Sequence, residues 1–374
     1  MKTQRTTNNE QQTTIFLAAG GTGGHIFPAI ALGEELSKRN YKVILLTDQR
    51  TKKYLGNTEF ISTEFIPVKY PYGSLKNKIA GTLSQAVSYF QARKLMRKYK
   101  PSCVIGFGGY PSFPTMYAAI SKNIKTVIHE QNSLLGKANQ MLADKVNAIA
   151  TSFPEVLRVE EKNLSKIFYT GNPVRPTIQA IRNIPYPEFG EGSSLHILVT
   201  GGSQGASVFA RVVTEAIKLL PREYHSRIRI DQQCRPEDII NVKEAYKNIG
   251  VNSELATFFS DLPARMAASH LVICRSGAST LAEIAVAGRP AIMIPLPNSK
   301  DGHQIINANS YEDIGAGWVI PEESFTPEAL AFKLEQFFKL PATLTETAAK
   351  SRTAGKADAD KRLADVIEKL IVRF

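Results

Sequence analysis

The chain has 374 residues, enough for two domains that each bury a core of their own. Hydrophobic residues make up 43% of it and charged residues 21%, a balance that excludes global disorder and a long coiled coil. The net charge of +12 is concentrated: from Phe65 to His129 there is no Asp or Glu against ten Lys or Arg, which points one face toward nucleic acid, an anionic membrane or a phosphorylated substrate.

Residues 1–14 are polar and lack the apolar core of a secretory signal, so they read as a frayed tail. No stretch reaches the roughly 18 consecutive apolar residues of a spanning helix, and membrane contact is therefore expected to be peripheral. The cysteines, Cys103, Cys234 and Cys274, are odd in number and far apart, which fits reduced core thiols in a cytosol.

Apolar β-branched runs alternate with segments of helical period, the pattern of parallel sheets with helical crossovers. Ile15 to Ala19, Val43 to Thr47, Cys103 to Ile105 and Thr126 to Ile128 read as strands of a first unit. The first of them runs into Gly20-Gly21-Thr22-Gly23-Gly24-His25. Glycine there permits positive φ and lets an oxygen-rich ligand approach the backbone. The dinucleotide fingerprint fails, because its third glycine would fall on Ile26, and no Gly-Lys-Ser/Thr follows to make a P-loop. Tight strand-to-helix packing is the plainer use of such a turn. His25 favours a functional one, since imidazole at a helix start can be held neutral and serve as a base.

Leu75, Ile79, Leu83, Val87 and Phe90 recur at helical spacing beside Lys76, Lys78 and the basic run from Arg93 to Lys100. Such a stripe either faces a core or, in these acid-free surroundings, lies on anionic lipid. Aromatic residues are not interleaved with the basic ones, so nucleic acid is not the expected partner. Gly106-Phe107-Gly108-Gly109-Tyr110 and His129-Glu130-Gln131-Asn132 each follow a strand and fall on the same carboxyl-end rim as His25. His129 and Glu130 suit a structural pair as well as a catalytic one. Gly171-Asn172-Pro173-Val174-Arg175 would bring an arginine to an interdomain cleft.

Residues 183–194, rich in Pro, Gly and Ser, read as a linker. A second series opens with Leu195 to Thr200 and the turn Gly201-Gly202-Ser203-Gln204-Gly205, and continues through Leu271 to Cys274 and Ala291 to Ile294. Two such units would face one another across a cleft. Arg275 to Glu283 leaves a strand and enters a helix. Thr280 and Glu283 have capping-box spacing, or the helix start takes a diphosphate while Glu283 accepts the hydroxyls of a ribose. His303, Gln304 and Asn307 would be polar groups on that rim, suited to sugar hydroxyls. No spacing of His or Asp residues suggests a metal cage, so helix dipoles and arginine are expected to stabilise a leaving diphosphate. Residues 355–374 read as a last helix returning to the first unit.

Seven segments in order, GGTGGHIFPA, GFGGYPS, HEQN, GNPVR, GGSQGA, CRSGASTLAEIA and DGHQIINA, resemble the MurG family of bacterial peptidoglycan GlcNAc transferases from about Ile15 to Asn309. The resemblance implies an α/β, GT-B fold: two Rossmann-like parallel-sheet domains facing across a cleft, an acceptor and membrane domain over 15–175 and a nucleotide domain over 176–354. It implies an inverting β-1,4 transfer of GlcNAc from UDP-GlcNAc to undecaprenyl-diphospho-muramyl pentapeptide, lipid I, at the cytoplasmic face of the inner membrane, without a cofactor.

Carried onto this sequence, the resemblance puts Thr22, Gly23 and Gly24 at the phosphates and Asn132 near the donor sugar. Arg175 and Ser203 would contact sugar or diphosphate, and Phe259 stands at the uracil. Ala278, Ser279, Thr280, Leu281, Ala282 and Glu283 would hold diphosphate and ribose, and Gln304 the sugar hydroxyls. Two departures stand out: His303 where Gln is usual, and Gln232-Gln233-Cys234-Arg235 in place of His-Gln-x-Gly, which puts in doubt that loop's part in shaping the cleft. His25 is the first choice of base and Glu130 the reserve. The competing functions are a GT-B transferase with another sugar or lipid acceptor, a nucleotide-dependent dehydrogenase and a basic nucleic-acid binder.

Overall fold

Ile15, Phe16, Leu17 and Ala18 are apolar without interruption and fully buried, as a strand covered on both faces requires. The structure, a computed structural model, describes residues 12–56, 58–68, 75–201 and 207–372, leaving aside the side chains of residues 75–79 and of Lys300. Ser203 and the side chains of Leu75 and Ile79 thus lie outside the described residues.

Among the described residues, thirteen strands form two sheets in which every pairing is parallel. The first comprises β1 (Thr14–Ala18), β2 (Lys42–Thr47), β3 (Ile61–Phe65), β4 (Cys103–Gly106), β5 (Lys125–Glu130), β6 (Ala148–Thr151) and β7 (Ile167–Tyr169). The second comprises β8 (Leu195–Thr200), β9 (Ile228–Gln233), β10 (Asn252–Ala256), β11 (Leu271–Cys274), β12 (Ala291–Met293) and β13 (Gly317–Val319). Their orders, β3-β2-β1-β4-β5-β6-β7 and β10-β9-β8-β11-β12-β13, reverse direction between β1 and β4 and between β8 and β11. Such reversals open a crevice beyond the carboxyl ends of the strands, which is where open parallel sheets take ligands.

Helices α1 (Gly23–Lys38), α2 (Lys52–Leu55), α3 (Leu75–Tyr99), α4 (Ser112–Ile120), α5 (Lys137–Ala143) and α6 (Pro176–Ala180) precede β8. They are followed by α7 (Ser207–Leu219), α8 (Arg222–His225), α9 (Ile239–Asn248), α10 (Leu262–Ala268), α11 (Ala278–Ala287), α12 (His303–Asp313), α13 (Pro327–Lys339), α14 (Ala342–Ala354) and α15 (Ala359–Val372). Strand side chains alternate between faces. Ile15 and Leu17 pack with Ile26, Leu32 and Leu36 of α1, whereas Phe16 packs with Leu95 and Met96 of α3 and Met116 of α4. Leu363, Val366 and Ile367 of α15 join the α1 side of this first sheet, and Arg39 clamps them there through Asp365 at 2.6 Å and Glu368 at 2.7 Å.

Only the second half of the segment Gln232 to Arg235 is loop. Gln232 and Gln233 end β9; Gln232 is buried and accepts a bond from the Tyr246 hydroxyl at 2.7 Å, and Gln233 accepts one from Thr200 at 2.5 Å. These residues brace the end of β8.

Candidate active site

The chain leaves β1 through Gly20 and Gly21, the latter at φ +86°, and enters α1 from the extended Thr22, whose side chain makes no capping bond. The N–H groups of Gly23 and Gly24 therefore open the helix without intrahelical partners, as the geometry of a helix start dictates. Pro28 lies inside α1. Having no N–H, it leaves the carbonyl of Gly24, four residues earlier, without its helical donor. That carbonyl accepts instead from Ser279 Oγ at 3.2 Å, so the first turn of α11 grips the first turn of α1 across the cleft. Asn172 Nδ2 donates to the same Ser279 hydroxyl at 3.4 Å.

His25 Nδ1 lies 3.0 Å from the carbonyl of Gly20 and 3.3 Å from Thr22 Oγ1. A carbonyl only accepts, so this bond fixes the ring proton on Nδ1 and makes Nε2 the basic nitrogen. The ring lies against the loop after β4. A Cβ on Gly108, at φ +82°, would come within 3.3 Å of Cδ2 and Nε2, and one on Gly109, at φ +80°, within 2.6 Å of the Gly20 carbonyl. The Gly-Gly pair is thus what lets the two loops at the switch point close on each other.

His129 and Glu130, at the end of β5, are both buried. His129 Nε2 donates to the carbonyl of Gly171 at 3.1 Å while Nδ1 accepts from Gln131 at 3.0 Å, and burial pushes its pKa down to about 4. Glu130 accepts four bonds: from the backbone N–H and the side chain of Asn132, both at 3.1 Å, from Gly136 N at 2.9 Å and from Asn139 at 2.8 Å. A carboxylate so engaged shapes the loop beneath it. All four bonds come from residues 132–139, so Glu130 organises its own loop, while His25 carries its basic nitrogen at Nε2.

In the second unit, Gly277 is the extended N-cap of α11 and Thr280 its third residue. The capping-box alternative does not hold, because it needs Thr280 at the N-cap. Glu283 faces Arg175 in a two-point ion pair, Nε to Oε1 at 2.8 Å and Nη2 to Oε2 at 2.9 Å, and the guanidinium stands 5.4 Å from the centre of the Phe27 ring. Ala278 and Leu281 are buried in the core under the helix, and Ala282 is partly so. Gln304 is half-buried and its Oε1 accepts from Leu296 N at 3.0 Å, while its carbonyl accepts from Ser276 Oγ at 2.8 Å. The ring of Phe259 is buried under the Arg265 guanidinium at 4.1 Å, and its neighbour Phe258 is exposed.

Asn307 is corrected outright. It was expected to meet sugar hydroxyls, yet it is fully buried and bonded to Ser133, Asn132 and Ser276. At the edge of the same rim Asp301 reaches Lys137 at 3.4 Å and Arg158 at 3.9 Å. Ser133, Asn172, Ser276 and Asp301 were not singled out from the sequence, though each adjoins or lies within a motif that was. Among the described residues no group of three or more His, Cys, Asp or Glu could hold a metal.

His25, Thr22, Gly23, Gly24, Asn132, Arg175, Ser279, Thr280 and Glu283 thus share the rim where the two sheets meet. The stripe on α3 lies elsewhere. Leu83, Val87 and Phe90 are 63%, 54% and 67% exposed, so a core-facing role does not hold for them. The buried side of α3 is Ser84, Ser88, Ala92, Leu95 and Met96.

Comparison with known proteins agrees with this geometry. Residues 15–151 match the glycosyltransferase family 28 N-terminal domain and residues 196–363 its C-terminal domain. A relative from Rhodospirillum centenum, named UDP-N-acetylglucosamine-N-acetylmuramyl-(pentapeptide) pyrophosphoryl-undecaprenol N-acetylglucosamine transferase, is 45% identical over 94% of this chain and 93% of its own. One of the same name from Paramagnetospirillum magneticum is 44% identical over 96% and 98%. The crystal structure of Acinetobacter baumannii MurG superposes with a TM-score of 0.78 and 27% identity, covering 96% of this chain and 99% of that one. The two facing parallel sheets are those of the GT-B fold, and with both halves matched the chain belongs to glycosyltransferase family 28.

Proposed function

We propose that the cleft binds UDP-GlcNAc and that the chain transfers its GlcNAc, with inversion, to the C4 hydroxyl of the muramyl residue of lipid I, giving lipid II. The observation that carries this reading is the meeting of two helix starts, α1 and α11, at the carboxyl-end rims, with Arg175 and Glu283 between them. In this reading residues 176–354 take the nucleotide and residues 15–175 the acceptor.

The acceptor hydroxyl attacks the anomeric carbon from the face opposite the UDP, and its proton passes to Nε2 of His25. As the new C–O bond forms, the bond to UDP breaks and the electron pair leaves with the diphosphate. The N-terminus of α11 and Arg175 offset that charge, and Glu283 takes the ribose hydroxyls. Arg175 and Glu283 are paired with each other, so nucleotide binding exchanges that pair for phosphate and ribose. Thr22, Gly23 and Gly24 line the phosphates, and Asn132 and Gln304 face the sugar.

The acceptor is lipid-linked, and no described helix is long and apolar enough to cross a membrane. Leu83, Val87 and Phe90 on α3, with Arg93 and Lys94 on the next turn and Tyr117 on α4, form an apolar patch edged by cations. This patch rests on anionic lipid at the cytoplasmic face of the inner membrane.

Release of UDP from UDP-GlcNAc, measured with and without a lipid I analogue, tests the whole reading. Release that depends on the acceptor is expected. Equal turnover of other nucleotide sugars, or none with this pair, would overturn it.

A further inference from the structure

A carboxamide offers two N–H donors and two acceptor lone pairs. In Asn307 all four are engaged and none reaches the cleft. Oδ1 accepts from Ser133 N at 2.9 Å and from Ser133 Oγ at 3.0 Å; Nδ2 donates to Asn132 Oδ1 at 3.1 Å and to the Ser276 carbonyl at 3.2 Å. A backbone N–H only donates and a backbone carbonyl only accepts, so these partners fix which end of the amide is which. The side chain comes from α12 in the second unit, whereas Asn132 and Ser133 follow β5 in the first. Ser276 lies two residues before α11.

Asn132 is held from both sides. Its Nδ2 donates to Glu130 and its Oδ1 accepts from Asn307. One N–H and one lone pair remain beyond these bonds, in a residue that is only partly buried. Their direction is set jointly by a carboxylate of the first unit and a carboxamide of the second.

We propose that Asn307 is a positioning residue: it ties the entry of α11 to the loop after β5 and so aims Asn132 at the donor sugar. The inference rests on the placement of Asn132 at that sugar. Asn307 touches no substrate itself, and a buried, fully satisfied amide at a domain junction is sensitive to the loss of any one partner.

The test is calorimetric titration of the full chain with UDP and with UDP-GlcNAc: the terminal phosphate of UDP carries extra charge in every variant alike, so the change a substitution makes in the ratio of the two affinities reports the sugar contacts. Asn307→Ala is expected to weaken UDP-GlcNAc by roughly 5- to 10-fold while leaving UDP within about twofold. Asn132→Ala should lose the same increment, and the double variant no more than Asn132→Ala alone. Ser133→Ala, which removes one hydroxyl from the cluster with little risk to folding, should shift UDP-GlcNAc the same way by roughly two- to threefold. Equal losses for both ligands in Asn307→Ala would reduce it to a structural tie and overturn the proposal, as would multiplying losses in the double variant. An Asn132→Ala variant that leaves the ratio of the two affinities unchanged would instead defeat the placement of Asn132 at a sugar, and the role of Asn307 with it.

Discussion

At His25 the chemistry depends on one bond. Because Nδ1 is committed to the Gly20 carbonyl, the basic nitrogen has a single identity and a fixed direction. His25→Ala should lower turnover by roughly 10² to 10⁴, the worth of a general base, with UDP affinity little changed. Near-normal turnover, or a loss confined to KM, would remove His25 from the role. Glu283 poses a different question, because its carboxylate already has a partner in Arg175. Glu283→Ala should weaken UDP by about 1 to 3 kcal/mol through lost charge-assisted bonds. If calorimetry finds UDP affinity unchanged and only the melting temperature lower, the pair is structural.

At the scale of elements, two helices carry distinct predictions. In α1, Pro28 keeps the Gly24 carbonyl available to Ser279. Pro28→Ala restores the N–H and lets the helix reclaim that carbonyl, so a higher melting temperature with reduced turnover is expected; unchanged turnover would show the contact to be idle. On α3, replacing Leu83, Val87 and Phe90 together by Ser should cut binding to anionic vesicles by roughly tenfold or more without unfolding the protein, because these side chains are already in water. The remaining adhesion should fall with added salt. A large drop in melting temperature would show instead that α3 needs these side chains to fold. The strands missed in the sequence have their own explanation. Of the six, β3, β7, β10 and β13 lie at sheet edges, where partial exposure admits polar residues such as those of Ile61–Phe65 and Asn252–Ala256 and breaks the apolar run, whereas β6 is only four residues long and β9 is interrupted by Arg229, Asp231 and Gln232.

Across the whole molecule, the contacts that hold the two units face to face include Gly24 and Asn172 with Ser279, Asn132 and Ser133 with Asn307, Arg175 with Glu283, and Lys137 and Arg158 with Asp301. His129 supports this junction by bonding Gly171, where the chain turns toward the second unit. Burial pushes its imidazole down to about 4, against about 6.5 in the unfolded chain. Between those values only the unfolded chain binds the proton, so the stability is fully present above about pH 6.5 and is lost as pH falls toward 4. The full loss is on the order of 3 kcal/mol. Denaturation at pH 7.5 and pH 5 should therefore show a smaller pH effect in His129→Gln than in the wild type. Equal slopes would mean that His129 does not titrate this way.

The sequence by itself determined what a few neighbouring residues encode. Buried parallel strands must be apolar on both faces, so the cores of β1, β2 and β11 read as unbroken runs, and glycine-rich turns before helices mark the carboxyl ends of β1 and β8. The motifs that place His25, Glu130, Arg175 and Glu283 on one rim were legible for that reason. Only the tertiary structure decided what those side chains do there. Arg175 meets Glu283 over 108 positions of sequence and Asn307 meets Ser133 over 174, and no local propensity specifies such a pair. It is fixed by how the two sheets pack, which buries Asn307 among Asn132, Ser133 and Ser276 and gives the Glu130 carboxylate four donors from its own loop.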